Sequence, residues 1–374
     1  MMADLDDDPG TTARPLRTLA DYERAALPAM SEQARSYIEG GAGDEITLRD
    51  NADAWQRLSL RPRMLTGVGD CDLSTRLLGV TRPHPVVIAP TAFQRLVHPE
   101  GEVAVARAAK ATDTIMCVST LASTGPAAIA EAIPDQARWF QLYAFVDRGV
   151  TRELIQSAAA HGYEALVVTV DRPVLGLRER EWRSNMRDVS RHGPSGAAAA
   201  AGLATEGMPP ADYSALIDAN LRWSDIERFV AESPLPLLVK GIMTAEDAQL
   251  AIEHGARGVI VSNHGGRQLD TVLSGADALA PIVDAVAGRV DVLVDGGVRR
   301  GTDVVKALAL GAGGVLVGRP LTWGLTVGGT EGAQRVIEIL LAELHNALAL
   351  SGCPRVTDLN RSFVTHAPWA GSNQ

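Results

Sequence analysis

The chain is poor in cysteine, in aromatic residues and in positive charge. Cys71, Cys117 and Cys353 stand far apart with no C-x-x-C spacing. An odd, scattered set of three argues against a disulfide-stapled fold or a thiolate metal site, and suits free thiols in a reducing cytosol. Aromatic residues make up only 4% of the chain, so Ala, Val, Leu and Ile must fill most of any core. The formal net charge is −10 and the pI near 5.3, which disfavours nucleic acid as a partner. A small anion can still be bound, provided the loops hold a local arginine or lysine cluster. No uncharged apolar run approaches the ~18–20 residues that span a bilayer. The N-terminus, MMADLDDDPG, lacks the basic and apolar regions of a targeting peptide. A cytoplasmic protein with no membrane partner is expected.

What is abundant is apolar material: 46% hydrophobic against 21% charged residues, enough for a large core and too much for global disorder. Residues 1–15 lack periodicity and read as a disordered tail, 16–365 as one domain, and 366–374 as a C-terminal tail. LADYERAALPAMSEQARSYIEGG has helical spacing, with Pro28 opening a second segment and Gly40-Gly41 as the stop. Beyond it, eight short β-branched runs recur, each followed by an Ala-rich helical stretch. They are VVIAP (86–90), IMCVS (115–119), FQLY (140–143), LVVTVD (166–171), LLVKG (237–241), VIVSNH (259–264), VLVDGG (292–297) and VLVGR (315–319). Continuous apolar strands imply burial on both faces, as in a parallel sheet, and eight β/α units suit a closed (β/α)8 TIM barrel of the α/β class with an N-terminal helical extension. A doubly wound open sheet is the alternative. Between the fourth and fifth runs lie more than sixty residues, including GPSGAAAAAGLATEGMPP. The stretch at about 180–222 reads as an active-site lid or as a tolerated surface insertion.

In a barrel the chemistry sits at the C-terminal strand ends. SNHGGRQLD (262–270) places an imidazole there, followed by two glycines that allow a sharp turn and an arginine able to fork onto a carboxylate. Histidine titrates near neutral pH and so suits proton abstraction, although an H-G-G-R segment can also be a plain turn. VDGGVRRG (294–301) and VLVGRP (315–320) put glycines and arginines after the last two strands, where barrels commonly cradle a phosphate.

With APTAFQRLVHPEGE (89–102), FQLY, TVDRP, LVKGI, SNHGGRQLD, DGGVRRGTDV and GRP in this order, the chain from about Leu16 to Leu359 resembles the FMN-dependent L-2-hydroxy acid oxidases and dehydrogenases. Glycolate oxidase, lactate oxidase and mandelate dehydrogenase belong to that family, and the first segment is most like 4-hydroxymandelate oxidase. The resemblance implies FMN as cofactor, no metal, and a homo-oligomer, tetrameric or octameric. It also implies His264 as the base with Asp171 orienting it, and Arg178 and Arg267 as the substrate-carboxylate pair. Tyr37 and Tyr143 correspond to the substrate tyrosines, and Lys240 to the lysine near flavin N1 and O2. Ala92, Ser119, Gln141, Thr169 and Ser262 correspond to flavin contacts. Asp295 falls near the ribityl chain, and Gly297, Arg299, Gly318 and Arg319 fall at the phosphate.

Two departures bear on substrate. Leu177 replaces the first of two family arginines while Arg178 keeps the second, and Leu121 stands where glycolate oxidases carry Trp. With Leu175 it leaves room for a larger side chain. The expected reaction is oxidation of a mandelate- or 4-hydroxymandelate-type acid to the 2-oxo acid, with oxygen reduced to hydrogen peroxide. Alternatives are electron transfer to a quinone or carrier, and oxidative decarboxylation of the lactate-monooxygenase kind. A different phosphate-binding barrel enzyme would lack the arginine pair or carry a catalytic loop cysteine.

Overall fold

A computed structural model of the chain describes residues 15–184 and 214–366. The expected tails and most of the expected lid lie outside these residues. Three helices precede the barrel: α1 (Leu19–Ala29), α2 (Glu32–Glu39) and α3 (Ile46–Gln56). Thr18 starts α1 through a capping box, its hydroxyl accepting from Asp21 N at 3.1 Å while Asp21 accepts from Thr18 N at 2.9 Å. Pro28 does not open a second helix; it lies in the last turn of α1. A proline ring removes a helical N–H and crowds the preceding turn, so α1 runs only one residue further. Ser31 then caps α2, accepting from Ala34 N at 3.1 Å.

All eight runs form strands: β1 (Val86–Ile88), β2 (Ile115–Ser119), β3 (Arg138–Leu142), β4 (Ala165–Thr169), β5 (Leu237–Ile242), β6 (Gly258–Val261), β7 (Asp291–Val294) and β8 (Gly314–Val317). They are parallel, and β8 pairs back onto β1 with Val315 opposite Val86, so the sheet is a closed barrel rather than an open one. Closure pairs the two edges that an open sheet would leave bare.

Side chains alternate along each strand. Val87, Cys117, Trp139, Val167, Leu238, Ile260, Leu293 and Leu316 point inward and form one buried cluster, to which Trp139 brings the only aromatic ring. Their neighbours Ile88, Val118, Phe140, Val168, Val239, Val261, Val294 and Val317 point outward into the larger core shared with the helices. A hairpin, Thr75–Leu77 with Val80–Arg82, inserts Leu77 into the inward cluster from the strand-start end. Leu58–Leu60 pairs antiparallel with Val364–His366, so His366 ends a strand rather than beginning a tail. No helix among the described residues is long and apolar enough to cross a membrane.

Candidate active site

Two residues beyond each inward apolar side chain, the period-two rule places Ala89, Ser119, Gln141, Thr169, Lys240, Ser262, Asp295 and Gly318 in one ring at the C-terminal mouth. The polar members bond to one another. Ser119 donates to Gln141 Oε1 at 3.3 Å, Gln141 Nε2 to Thr169 Oγ1 at 3.0 Å, and Lys240 Nζ to Ser262 Oγ at 2.7 Å. Lys240 Nζ also lies 3.1 Å from Asp295. Burial alone would lower the lysine's pKa, but Asp295 and Asp171 hold it above its ordinary value, and it stays charged. Above the ring lies a cleft that is open to bulk solvent. Every residue expected at the site lines this cleft except Ser262 and Asp171. Ser262 is fully buried, its hydroxyl accepting from Lys240 and, at 3.1 Å, from His264 N, and so it supports those two residues from behind the cleft lining.

Asp171 stands behind His264, Oδ1 2.7 Å from Nδ1. That bond engages Nδ1 and leaves Nε2 as the remaining nitrogen of a ring on the cleft wall. His264 has φ 59°, followed by Gly265 at 65° and Gly266 at 75°. A left-handed histidine is uncommon and is held here by the surrounding contacts. Gly266 must be glycine, because a Cβ there would lie 2.6 Å from Leu48 Cα. Gly241, at φ +109°, makes room for Asp171 in the same way. Burial lowers the His264 pKa, with Asp171 opposing, so the ring is neutral and able to accept a proton at pH 7. Burial raises Asp171, but His264 and Lys240 more than offset it and the carboxylate remains ionised.

Arg178 and Arg267 meet on the same wall. Between them sits Glu181, not anticipated from sequence, whose Oε1 accepts from Arg178 Nη1 at 3.3 Å and from Arg267 Nη2 at 3.1 Å. The only signal for it was the i,i+3 spacing of Arg and Glu in RERE, on the short helix Glu179–Arg183. Burial and Arg267 push Arg178 down to about 10, still protonated at neutral pH. The Arg267 guanidinium lies 4.8 Å over the Tyr37 ring, which meets Phe93 edge-on at 5.4 Å. Tyr143, Leu121 and Leu175 complete this half of the cleft, together with Arg172, which sequence reading passed over.

The other half holds the glycines and arginines of the last two strands. Gly297 is required by packing, since its Cβ would lie 1.8 Å from Asn51 O on α3. Gly318 is open: its Cβ would meet nothing nearer than Ala89 at 3.6 Å, and it precedes the helix that starts at Arg319 and breaks at Gly328 and Gly329; the N-terminal amides of that helix favour an anion. Arg299 lies 4.9 Å over the Trp323 ring. Arg319 is more committed than expected, donating to Ile38 O at 2.9 Å, Gly265 O at 3.1 Å and Gly40 O at 3.3 Å. It clamps the end of α2 to the barrel mouth, and Arg267 joins it through Gly40 O at 2.8 Å. Burial pushes Arg319 down to about 9. Asp295 Oδ1 is buried with no partner, an acceptor suited to a ligand hydroxyl. This half therefore fits a ligand that brings an anionic group to Arg299 and the helix start at Gly318 and a hydroxyl to Asp295.

The family described as FMN-dependent dehydrogenase matches residues 26–366. The chain is 45% identical over 360 residues to an L-lactate oxidase of Nostoc sp., covering 92% of this chain and 97% of that protein. It is 43% identical to 2-hydroxyacid oxidase 2 of Homo sapiens, with the same coverage of each. A solved structure of mandelate oxidase is similar with TM-score 0.86 and 39% identity, covering 94% of this chain and 98% of that one. Another, of mandelate oxidase with benzoyl-formic acid, gives 0.83 and 38% over the same shares.

Proposed function

Since the chain belongs to the FMN-dependent 2-hydroxy acid oxidase family, we propose that it oxidises an L-2-hydroxy acid of the mandelate or 4-hydroxymandelate type to the 2-oxo acid, with oxygen reduced to hydrogen peroxide. The observation that carries the reading is one wall on which a neutral histidine, backed by an ionised aspartate, stands beside the buried Arg178 and the half-buried Arg267.

Arg178 and Arg267 carry two positive charges against the one of Glu181, leaving a net charge that a single substrate carboxylate balances. The fork of a guanidinium also fixes the plane of that carboxylate. With the acid anchored, its 2-hydroxyl is within the reach of His264 and Tyr143. His264 Nε2 accepts the hydroxyl proton, and the imidazolium that forms lies against Asp171. FMN, whose phosphate suits Arg299 and the Gly318 helix start and whose chain hydroxyls suit Asp295, supplies the acceptor for the hydrogen and electron pair that leave C2. Lys240, held charged beside Asp295, would offer the bound flavin a positive charge that favours its anionic reduced form.

Side-chain preference rests on Leu121, Leu175 and Phe93, an apolar wall where each buried CH₂ contributes roughly 0.8 kcal/mol. Relatives solved with (S)-mandelic acid and benzoyl-formic acid support an aryl substrate, whereas the 45% identical L-lactate oxidase favours a smaller one. Anaerobic mixing of the holoenzyme with glycolate, lactate, mandelate and 4-hydroxymandelate separates these readings. Bleaching of the flavin is expected with the aryl acids at a kcat/KM at least about tenfold above glycolate, which needs only ~1.4 kcal/mol. Faster bleaching by lactate or glycolate overturns the aryl assignment.

A further inference from the structure

Arg172, the residue after the aspartate that backs His264, is a cation that the reaction above leaves without a task. Its side chain is buried, at 7% exposure, and lies on the same cleft wall as His264 and Arg178. The guanidinium carbon sits 5.0 Å over the Tyr143 ring, and Nη2 donates to Ser214 Oγ at 2.6 Å. Nη1 is buried with no hydrogen-bond partner. Among the described residues Arg172 enters no ion pair. The two acidic residues of the adjoining cavity that it borders, Asp218 and Asp247, are engaged elsewhere, by Arg148 and Thr244.

Charge counting then distinguishes Arg172 from its neighbours. Lys240 has Asp295, and Arg178 and Arg267 share Glu181, so one substrate carboxylate completes their balance. The ionised Asp171 is engaged by His264 Nδ1 at 2.7 Å, and Arg172 remains a buried cation whose Nη1 has no partner. A buried charge is costly to desolvate unless it is paired. Stacking on Tyr143 offsets part of this and does nothing for the unpartnered Nη1. A ligand group of opposite charge satisfies both the charge and the open donor.

We propose that Arg172 recognises a second acidic group on the substrate, so that the preferred 2-hydroxy acids carry a carboxylate at the far end of the side chain. The inference rests on the proposed oxidation at C2 and refines what lies beyond it: an apolar wall made by Leu121 and Leu175, with a cation alongside. Glycolate and lactate have no group to offer Arg172, and mandelate offers only a ring face.

The test is anaerobic flavin reduction by the holoenzyme with matched pairs: 3- and 4-carboxymandelate against 4-methylmandelate, and 2-hydroxyglutarate against 2-hydroxyhexanoate. The best dicarboxylate is expected to exceed its monocarboxylate partner in kcat/KM at least tenfold. In Arg172→Met, which keeps length and loses charge, that ratio should fall at least thirtyfold, and Arg172→Lys should retain part of it. FMN content and Tm report whether each variant is folded; if Arg172→Met is not, the Arg172→Lys ratio and the parent's preference decide. The proposal is overturned if the parent prefers the monocarboxylates, or if substitution lowers all rates alike and leaves the ratio unchanged, as a merely structural arginine under Tyr143 would. Absence of bleaching by every acid, mandelate and lactate included, instead removes the oxidation reading on which it rests.

Discussion

Replacing Asp171 with asparagine isolates the charge behind the proposed base while keeping the shape of the site. Oδ1 lies 2.7 Å from His264 Nδ1, and Oδ2 is buried without a partner, so the whole carboxylate charge bears on the imidazole. Burial lowers the His264 pKa, and Asp171 is the main influence that raises it. Removing the charge weakens a charge-assisted hydrogen bond worth roughly 1.5–3 kcal/mol. At ~1.4 kcal/mol per tenfold, that is about 12- to 140-fold in rate if the imidazolium is formed in the transition state. A second loss follows if the asparagine NH₂ faces Nδ1, because the ring proton then moves to Nε2, the nitrogen required as base. The equivalent change in a Ser-His-Asp triad costs about 10⁴. Flavin reduction in Asp171→Asn is therefore expected to slow by about 10²- to 10⁴-fold. KM should change little, since the carboxylate is held by Arg178 and Arg267. Anaerobic stopped-flow at saturating mandelate measures the rate, with FMN content and Tm as controls. The acid limb of the pH profile should also move to lower pH, because the influence that raises His264 is gone. A fully FMN-loaded variant that reduces within about fivefold of the parent refutes the assignment of Asp171 as the base's partner.

Three further outcomes are expected. His264→Ala should lose about 10²- to 10⁴-fold in reductive rate yet purify yellow, with FMN as the released flavin by mass spectrometry; reduction near the parent rate removes His264 as base. With His264 held below its ordinary value of 6.5 by burial, the reductive rate should be level above about pH 6.5 and fall as the ring protonates below it. A limb centred above pH 7 contradicts the desolvated, neutral imidazole. Leu121→Trp should crowd the apolar wall, overpacking it by roughly 1–3 kcal/mol, and lower kcat/KM for mandelate relative to glycolate at least about fivefold. An unchanged ratio places the substrate side chain elsewhere.

Much of the site was legible because strand ends and inward faces follow a period of two. Given eight apolar runs in parallel, Ser119, Gln141, Thr169, Lys240 and Asp295 fall in one ring without further information. Gly297 was legible as a special position but for a different reason, since only the approach of α3 shows that Asn51 O excludes a side chain there. Ser262 satisfies the same periodicity as its neighbours and yet bonds inward to Lys240, a choice set by which donors reach it. Pro28 misled because a proline marks a helix boundary without saying on which side of it the helix lies.

The chain alone thus determined the eight barrel strands, the polar ring at their ends and the residue types that surround the cleft. These depend on local alternation and composition, which any stretch of sequence displays. Tertiary structure decided the pairings: His264 with Asp171 across 93 residues, Arg319 with the carbonyls of α2 across 281, and Glu181 shared by two arginines while Arg172 has no acidic partner among the described residues. Such pairings arise only when barrel closure brings distant strand ends to one mouth. Their partners are selected there by burial, which penalises every charge left unmatched.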